Sequence, residues 1–285
     1  MIPRYLWRRI QNREDRIKKA LMSKLSIITI NYNDLEGLKK TVNSVIGQTY
    51  PPFEYIVIDG ASTDGSAAYI ESQTANINHW ISENDSGVYN AMNKGIKAAT
   101  GDYLFFLNSG DVLNDATTLE KLNNESLGSK DIIACDICLD YIESSELRSC
   151  PEKITFDYLH QYAIPHQALL LKRELFEKVG LYDENLKLVS DWKFVLKALS
   201  FYSATYKKIN IVLCKYDMNG ISSIAANKEL LRLEKEAVLN ADYGFFMEDY
   251  NRFNVINNKF KGLANSRILR FLIKCGLFNK KYIEY

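Results

Sequence analysis

Four clusters of polar residues in the first half of the chain each follow a short apolar segment. They occupy residues 31–33 (Asn-Tyr-Asn), 59–66 (Asp-Gly-Ala-Ser-Thr-Asp-Gly-Ser), 83–87 (Glu-Asn-Asp-Ser-Gly) and 108–111 (Asn-Ser-Gly-Asp). Each apolar segment is typical of a buried strand, and in an open α/β sheet the strand ends form the ligand crevice. These side chains, far apart in sequence, are therefore predicted to meet at one site. Their carboxylates, amides and hydroxyls suit a polar, phosphate-bearing ligand together with a metal ion.

Strands and helices must alternate to bring these clusters together. Apolar, β-branched runs predict strands at 25–31, 54–59, 79–82 and 103–107, and segments with helical periodicity lie between them. Such alternation predicts βαβ units, hence an α/β fold with a mostly parallel sheet flanked by helices. Beyond residue 111 we expect strands at 131–140, 146–150, 167–171 and 205–216, helices at 173–179 and from Ser190, and a helical chain from residue 227 onward.

The charge of the chain is distributed unevenly. Its 285 residues total +1, and its hydrophobic (47%) and charged (25%) fractions are ordinary for a soluble globular protein. Residues 1–24 hold eight Lys or Arg against two acids, and residues 250–285 hold eight against one, so the residues between them carry −12. An acidic body argues against a nucleic-acid-binding protein, whereas two basic ends favour contact with an anionic surface.

The sequence also predicts where the protein works. It contains no run of about 18 apolar residues, and no apolar segment follows the first basic residues to make a secretory signal. Its five cysteines are sparse and odd in number, which is typical of reduced thiols. We therefore expect a cytoplasmic protein, with no zinc site and no Gly-rich phosphate loop of the P-loop or dinucleotide-binding kind.

In their order and placement these motifs resemble the nucleotide-sugar-binding half of family 2 glycosyltransferases. The segments that carry the resemblance are Ile27–Asn33, Val57–Ser66 and the cluster ending at Asp111, and the likeness extends over residues 25–199. It implies the A-type glycosyltransferase fold. It also implies an inverting transfer of one hexosyl or N-acetylhexosaminyl group from a nucleotide diphosphate sugar, UDP-linked, to a lipid-linked glycan. The subgroup it resembles acts in bacterial exopolysaccharide, capsule or O-antigen assembly.

The resemblance implies donor-binding roles for residues of the polar clusters. Tyr32 could stack on the nucleotide base or pack against the next helix, and Asp59 could accept a hydrogen bond from the ring N–H of uracil or cap the turn before Asp64. Asp85 could reach the ribose or diphosphate, or it could cap the helix that follows. Asn33 and Asn108 complete the predicted nucleotide-sugar site, where Asn108 could bind ribose or offer its amide oxygen.

Asp111 is the predicted ligand of a Mn²⁺ or Mg²⁺ ion. A nucleotide diphosphate leaves readily only when its growing negative charge is balanced, and a divalent cation held by carboxylate and phosphate oxygens does this. The chain departs from the fuller acidic pattern of the family, because Asn108 and Gly110 stand where acids are common. Asp111 is the acid that remains.

Asp191 is the predicted catalytic base. In a single displacement the acceptor hydroxyl loses its proton as the new bond forms, and a nearby carboxylate takes that proton. Asp191 opens a helix and resembles the catalytic acidic residue of the family. The alternative is an aspartate placed in the first helical turn for the helix dipole. Asp183 and Glu184 are the competing candidates, and His166 and Trp192 are predicted contacts for the acceptor or a phosphate.

Three parts are predicted along the chain. A basic amphipathic segment (1–24) precedes a catalytic domain (25–225) with a donor half (25–111) and an acceptor half (112–225), and a basic helical extension (226–285) follows. The two ends could lie on an anionic membrane surface, or they could pack on the body as solvated helices. Two rival functions stay open: a sugar nucleotidyltransferase, and a degenerate nucleotide-sugar-binding module without catalysis.

Overall fold

A computed structural model describes residues 24–50, 53–125, 130–141, 144–218, 227–277 and 279. The predicted N-terminal basic segment, apart from Lys24, therefore lies outside the described residues. The chain divides into two units, of which the first ends at Leu231 and the second begins at Arg232.

The first half of the first unit alternates strands and helices as predicted. In chain order these elements are β1 (Leu25–Asn31), α1 (Leu35–Ile46), β2 (Phe53–Asp59), α2 (Ser66–Ser72), β3 (His79–Ser82), α3 (Val88–Ala98) and β4 (Tyr103–Phe106). Strand β1 pairs in parallel with β2 and β4, and β2 pairs in parallel with β3. The carboxyl ends of these four strands therefore meet at one edge, and the prediction of a parallel sheet in this half is confirmed.

The second half of the unit extends the same sheet with mixed pairing. Its elements are β5 (Val112–Leu113), α4 (Thr118–Asn124), β6 (Ile132–Asp140), β7 (Ser145–Arg148), α5 (Phe156–Gln161), β8 (Leu169–Lys172), α6 (Arg173–Val179), α7 (Ser190–Phe201) and β9 (Tyr206–Asp217). Within the described residues the strand order is β3-β2-β1-β4-β8-β6-β9-β5, with β7 beside β6. Because β8 runs antiparallel to β4, it brings the chain that precedes it to the carboxyl ends of the parallel strands.

Three short elements of this half were not predicted. Helices α4 and α5 and the two-residue strand β5 are too brief to show a hydrophobic period. The strand predicted from residue 167 begins two residues later, because His166–Ala168 forms a 3₁₀ turn. Helix α5 has a capping residue at its start, although it is too short to show a hydrophobic period: the hydroxyl of Thr155 accepts a hydrogen bond from the Tyr158 amide.

The core lies on both faces of the parallel strands. Ile27, Ile28, Ile56 and Ile58 are fully buried, as expected for strands covered by helices on each side. Helix α3 approaches β1 so closely that a Cβ atom on Gly95 would lie 2.5 Å from Cγ2 of Ile28. This close packing fixes the depth at which the other side chains of α3 meet the sheet.

The C-terminal residues are helical, as predicted. Helix α8 (Lys228–Ala264) runs through the boundary between the units, and α9 (Arg267–Lys274) follows it. The hydroxyl of Ser266 caps α9 by accepting a hydrogen bond from the Leu269 amide. None of the described helices combines the length and the apolar character that crossing a membrane requires.

Candidate active site

Asp59 is the centre of a hydrogen-bond network at the strand ends. Its side chain is fully buried at the end of β2. Its Oδ1 accepts hydrogen bonds from Asn31 Nδ2 (2.8 Å) and Ser62 Oγ (2.6 Å), and its Oδ2 accepts them from Ser62 N (3.0 Å) and Ser82 Oγ (2.6 Å). Asp59 therefore ties together the ends of β1, β2 and β3. A contact with a nucleobase would require one of these bonds to give way.

The network extends to the loops around these strands. Ser109, after β4, donates a hydrogen bond to Asn31 Oδ1 at 2.8 Å. The Asn33 amide donates to Ser62 Oγ at 2.8 Å, and the Asn33 side chain accepts from the Thr63 amide at 2.8 Å, with the backbone of Asn33 left-handed at φ +50°. The polar segments 31–33, 59–66 and 108–111 thus lie together in the structure.

Tyr32 and Asp85 both lie close to Gly60. A Cβ atom on Gly60 would lie 3.1 Å from Cδ2 of Tyr32 and 2.5 Å from Oδ2 of Asp85. The Tyr32 ring is 69% exposed, so one of its faces is available for stacking. The other oxygen of Asp85 accepts a hydrogen bond from the Gly87 amide at 3.0 Å and so holds the turn before α3. An exposed aromatic ring and a carboxylate therefore flank a backbone with no side chain.

Asp111 is buried and accepts two hydrogen bonds. Its Oδ1 accepts from the Asp217 amide and its Oδ2 from Gln167 Nε2, both at 2.9 Å. Burial raises the pKa of the Asp111 carboxyl to about 6, although these two hydrogen bonds oppose the rise. A carboxylate that is costly to ionise in isolation is one that a bound cation would stabilise.

The surroundings of Asp111 determine which metal chemistry it could support. The Asp217 carboxylate is close by, since a Cβ atom on Gly110 would lie 3.2 Å from its Oδ2. Across the part of the chain that the structure describes, no three His, Cys, Asp or Glu side chains are arranged to hold a metal ion by themselves. Mg²⁺ and similar hard cations commonly take one or two protein carboxylates and complete their shell with phosphate oxygens and water. The residues present fit that kind of site.

Asp191 is held from two sides. The Tyr89 hydroxyl donates to its Oδ1 at 2.9 Å, and His166 Nδ1 is 3.1 Å from its Oδ2. On the far side of the imidazole ring, Asn108 Nδ2 is 3.0 Å from His166 Nε2. The structure thereby joins Asn108, in the loop after β4, to Asp191, at the start of α7. Asn108 Oδ1 is buried, and no described residue forms a hydrogen bond with it.

The charge state of Asp191 follows from these contacts. Burial opposes its ionisation, but the hydrogen bonds from His166 and Tyr89 hold the pKa of Asp191 below its ordinary value. The side chain retains 17% of its exposure. Asp191 is therefore an ionised carboxylate that reaches the surface of the crevice.

The two competing acids are occupied elsewhere. Asp183 pairs with Lys193 Nζ at 2.9 Å, and this bond is the main cause of its lowered pKa. The two oxygens of Glu184 accept hydrogen bonds from Asn90 and Asn93 of α3, both at 2.8 Å. These contacts fasten the loop before α7 to neighbouring helices.

Trp192 does not lie where the sequence analysis expected. Its side chain is only 2% exposed, and its indole N–H donates to the Leu159 carbonyl at 2.7 Å. The first turn of α7 directs adjacent residues to different faces, so Asp191 points to the crevice while Trp192 packs against α5. The structure gives Trp192 a packing role instead of the predicted contact with an acceptor.

Tyr89, like Asp217, is a site residue that the sequence analysis missed. Tyr89 directly follows the apolar Val88, and nothing in its local pattern distinguishes it from a core aromatic. Its partner Asp191 is 102 residues away, so the pairing depends on how α3 and α7 meet.

The family assignment agrees with this geometry. The model of the family described as "Glycosyl transferase family 2" matches residues 26–179, which carry β1 from its second residue, β2 to β4 and the strand-end network. The chain belongs to glycosyltransferase family 2. This glycosyltransferase is similar to the uncharacterized glycosyltransferase Rv1514c of Mycobacterium tuberculosis, with 34% identity over 70% of this chain and 77% of the relative. The PGL/p-HBAD biosynthesis glycosyltransferase Rv2957 of that species is 28% identical over 73% and 82%.

Solved structures support the fold of this glycosyltransferase. TarS 1–349 of S. aureus in complex with UDP-GlcNAc matches 68% of this chain with a TM-score of 0.57 and 20% identity. The match spans 58% of that chain, and 36% of the longer TarS structure. Similarity at this level of identity concerns the fold alone, and it agrees with the predicted A-type fold.

Proposed function

We propose that this glycosyltransferase moves one sugar from a UDP-linked donor to a glycan acceptor by a single inverting displacement. The observation that carries the proposal is Asp191: an ionised carboxylate that reaches the crevice beside the strand-end network. Such a group can take the proton of an attacking hydroxyl without first losing one of its own.

The donor site is proposed at the carboxyl ends of β1 to β4. Tyr32 would stack on the base, and Asp85 would meet the ribose or the diphosphate. The absence of a side chain at Gly60 allows a ligand to approach the backbone between them. Asn33, Asp59 and Asn108 complete the site, and Asp59 also holds its frame together. Support for a UDP-linked sugar comes from TarS, a relative in fold that was solved with UDP-GlcNAc.

A divalent cation, Mn²⁺ or Mg²⁺, is proposed at Asp111. When bound, such an ion would balance the charge that grows on the leaving diphosphate. Asp111 would supply one carboxylate, and the neighbouring Asp217 is positioned to supply a second. Their oxygens are the hard donors that these ions prefer. The other positions would fall to the phosphate oxygens and water.

The proposed acceptor is a lipid-linked glycan in bacterial surface polysaccharide assembly, reached from a membrane surface on the cytoplasmic side. Helix α9 supports this placement, because Arg267, Arg270 and Lys274 stand among its apolar residues and it contains no acid. Ile268 and Phe271 of this helix are 75% and 63% exposed. Basic helices with exposed apolar side chains bind anionic bilayers.

A screen of nucleotide sugars tests the proposal. Purified protein is incubated with UDP-, GDP- and ADP-linked sugars and Mn²⁺, and release of the nucleotide diphosphate is measured, with Asp191→Asn as the inactive control. We expect turnover of a UDP-sugar by the wild type alone. In a separate incubation with UTP and a sugar 1-phosphate, release of pyrophosphate would favour a nucleotidyltransferase, although residues 31–37 lack the Arg or Lys that such an enzyme needs in this loop. Binding without turnover would favour the non-catalytic module.

A further inference from the structure

Tyr89 combines deep burial with a charged hydrogen-bond partner. The residue lies in the first turn of α3 and is 5% exposed. Its ring centroid is 5.7 Å from that of Tyr182, and its hydroxyl donates to Asp191 Oδ1 at 2.9 Å. A hydrogen bond to a carboxylate in a site with little water is stronger than one between neutral groups. Tyr89 therefore restrains the rotation of the Asp191 side chain.

The second oxygen of Asp191 is restrained by His166. Asn108 Nδ2 can only donate, so His166 Nε2 accepts from it, and the ring proton of a neutral His166 then resides on Nδ1. That proton points to Asp191 Oδ2, and the distance from Nδ1 to Oδ2 is 3.1 Å. Each oxygen of Asp191 thus has one side-chain donor, and the Trp192 backbone amide gives the carboxylate a further hydrogen bond.

We propose that Tyr89 and His166 are positioning residues that clamp Asp191, with one donor on each oxygen, in the orientation that faces the acceptor hydroxyl. The clamp rests on the proposed function in one respect, the role of Asp191 as proton acceptor. The clamp connects Asp191 to the proposed nucleotide-sugar site at two points. Tyr89 follows the turn that Asp85 holds, and His166 contacts Asn108 in the loop after β4. Neither connection was part of the prediction that His166 contacts the acceptor.

The position of Tyr89 is itself fixed by a second set of contacts. Asn93, one turn further along α3, donates to the Tyr182 carbonyl at 2.9 Å and accepts from the Tyr182 amide at 3.0 Å. Glu184 accepts from Asn90 and Asn93 at 2.8 Å each. Helix α3 is therefore fastened to the loop that leads into α7. Because Tyr89 and Asp191 are carried by elements joined in this way, their contact does not depend on a flexible loop.

The clamp has a chemical consequence. Tyr89 from α3, His166 from the 3₁₀ turn and Tyr182 from the loop before α7 are the titratable groups that face Asp191. The bonds from Tyr89 and His166 favour the ionised form and so oppose the effect of burial. Removing the Tyr89 hydroxyl should raise the pKa of Asp191 and loosen its orientation, whereas removing His166 would also disturb Asn108 of the proposed nucleotide-sugar site.

Tyr89→Phe is the direct test, and Tyr182→Phe is its matched control. Both substitutions remove one hydroxyl from a buried ring of the same aromatic cluster, but the Tyr182 hydroxyl has no hydrogen-bond partner among the residues that the structure describes. With the active UDP-sugar of the screen, we expect Tyr89→Phe to lower kcat by roughly 10- to 100-fold and to move the acid limb of its pH profile upward, with KM for the sugar donor unchanged. Tyr182→Phe should keep the kcat and KM of the wild type. Equal effects of both substitutions, or a KM effect alone, would overturn the clamp.

Two further measurements test the clamp without requiring turnover of a sugar donor. The chain has three histidines, so nitrogen NMR with His166→Asn as the assignment control can identify the tautomer of His166. We expect a single Nδ1–H form, and a free mixture of tautomers would refute the His166 contact. The second measurement introduces Tyr89→Phe into the wild type and into Asp191→Ala. We expect the substitution to lower Tm in the wild type but not in Asp191→Ala. An equal loss of Tm in both backgrounds would refute the Tyr89 contact. If no nucleotide sugar is turned over, the proposed function fails while these two results still stand.

Discussion

Gly60 and Asp85 are packed so closely that a Cβ atom at position 60 would lie 2.5 Å from Oδ2 of Asp85. Gly60 directly follows Asp59, and Asp85 holds the turn before α3. The Asp85 carboxylate, 25 residues away in sequence, can therefore keep its position only because residue 60 has no side chain. The Tyr32 ring lies close to the same position, with its Cδ2 3.1 Å from that Cβ atom.

Gly60→Ala should weaken UDP binding by about 10-fold or more, because the methyl group must displace Asp85 and press on the Tyr32 ring. Gly244→Ala is the matched control, since no atom lies within 4 Å of a Cβ added there. Calorimetric titration of both variants with UDP measures the difference. Unchanged affinity in Gly60→Ala would remove Asp85 from the donor site.

Much of this arrangement could be predicted from the sequence, and the reasons are physical. Apolar runs ending in polar clusters indicate where parallel strands stop, and strand ends share an edge, so Asn31, Asp59 and Ser109 were bound to converge. The contact between Gly60 and Asp85 could not be predicted, because it depends on the path of two loops. Trp192 was misplaced because its first-turn position alone did not reveal which face of α7 it occupies.

Tyr32→Ala and Asp59→Ala should differ in their effects on stability. Tyr32 is exposed, so its loss should lower donor affinity and leave Tm unchanged. Asp59 accepts four hydrogen bonds in the core, so Asp59→Ala should also lower Tm by several degrees, because buried donors lose their partner. Thermal unfolding and competition between UDP and ADP measure the two effects. Equal inhibition of the wild type by UDP and ADP would remove the uracil assignment.

Asp191→Asn should reduce turnover by about 10²- to 10⁴-fold while UDP affinity is retained. The amide keeps the shape of the side chain and one acceptor oxygen, but it cannot take the proton of the acceptor. Rate and UDP affinity measured on the same preparation separate catalysis from binding. Normal turnover in this variant would transfer the role to another acid, with Asp183 examined first.

Helix α9 should contribute to binding of anionic vesicles. The paired substitution of Ile268 and Phe271 by Ser removes two exposed apolar side chains and leaves Arg267, Arg270 and Lys274 in place. We expect weaker co-sedimentation with anionic vesicles, weakened further by salt, since each basic residue near such a surface contributes roughly 1 kcal/mol. Leu147→Ser, at another exposed apolar residue, is the control. Absence of wild-type binding at low salt would refute the membrane placement.

Asp111 should make the protein less stable as pH rises from about 4 to 6. Its ordinary pKa of 3.8 is raised to about 6 by burial, so the folded state holds a proton that the unfolded state releases earlier. The free energy of unfolding therefore falls across this window and stays lower above it, by about 3 kcal/mol at most. In EDTA, Asp111→Asn should match the wild type near pH 4 and exceed its Tm at pH 7. A constant difference at all pH values would contradict the raised pKa.

Metal binding at Asp111 should raise the free energy of unfolding, whereas ionisation of the buried carboxyl lowers it. At pH 7 a divalent cation would offset the cost of the buried negative charge, so Mn²⁺ should raise the Tm of the wild type, more strongly when UDP is present. Asp111→Asn should lose most of this response and turn over donor slowly with or without EDTA, because its amide oxygen is a weaker ligand than a carboxylate. Thermal unfolding with and without Mn²⁺ and UDP measures the response. An equal rise in Tm for both proteins would place the cation elsewhere, and full wild-type activity in EDTA would exclude a metal requirement.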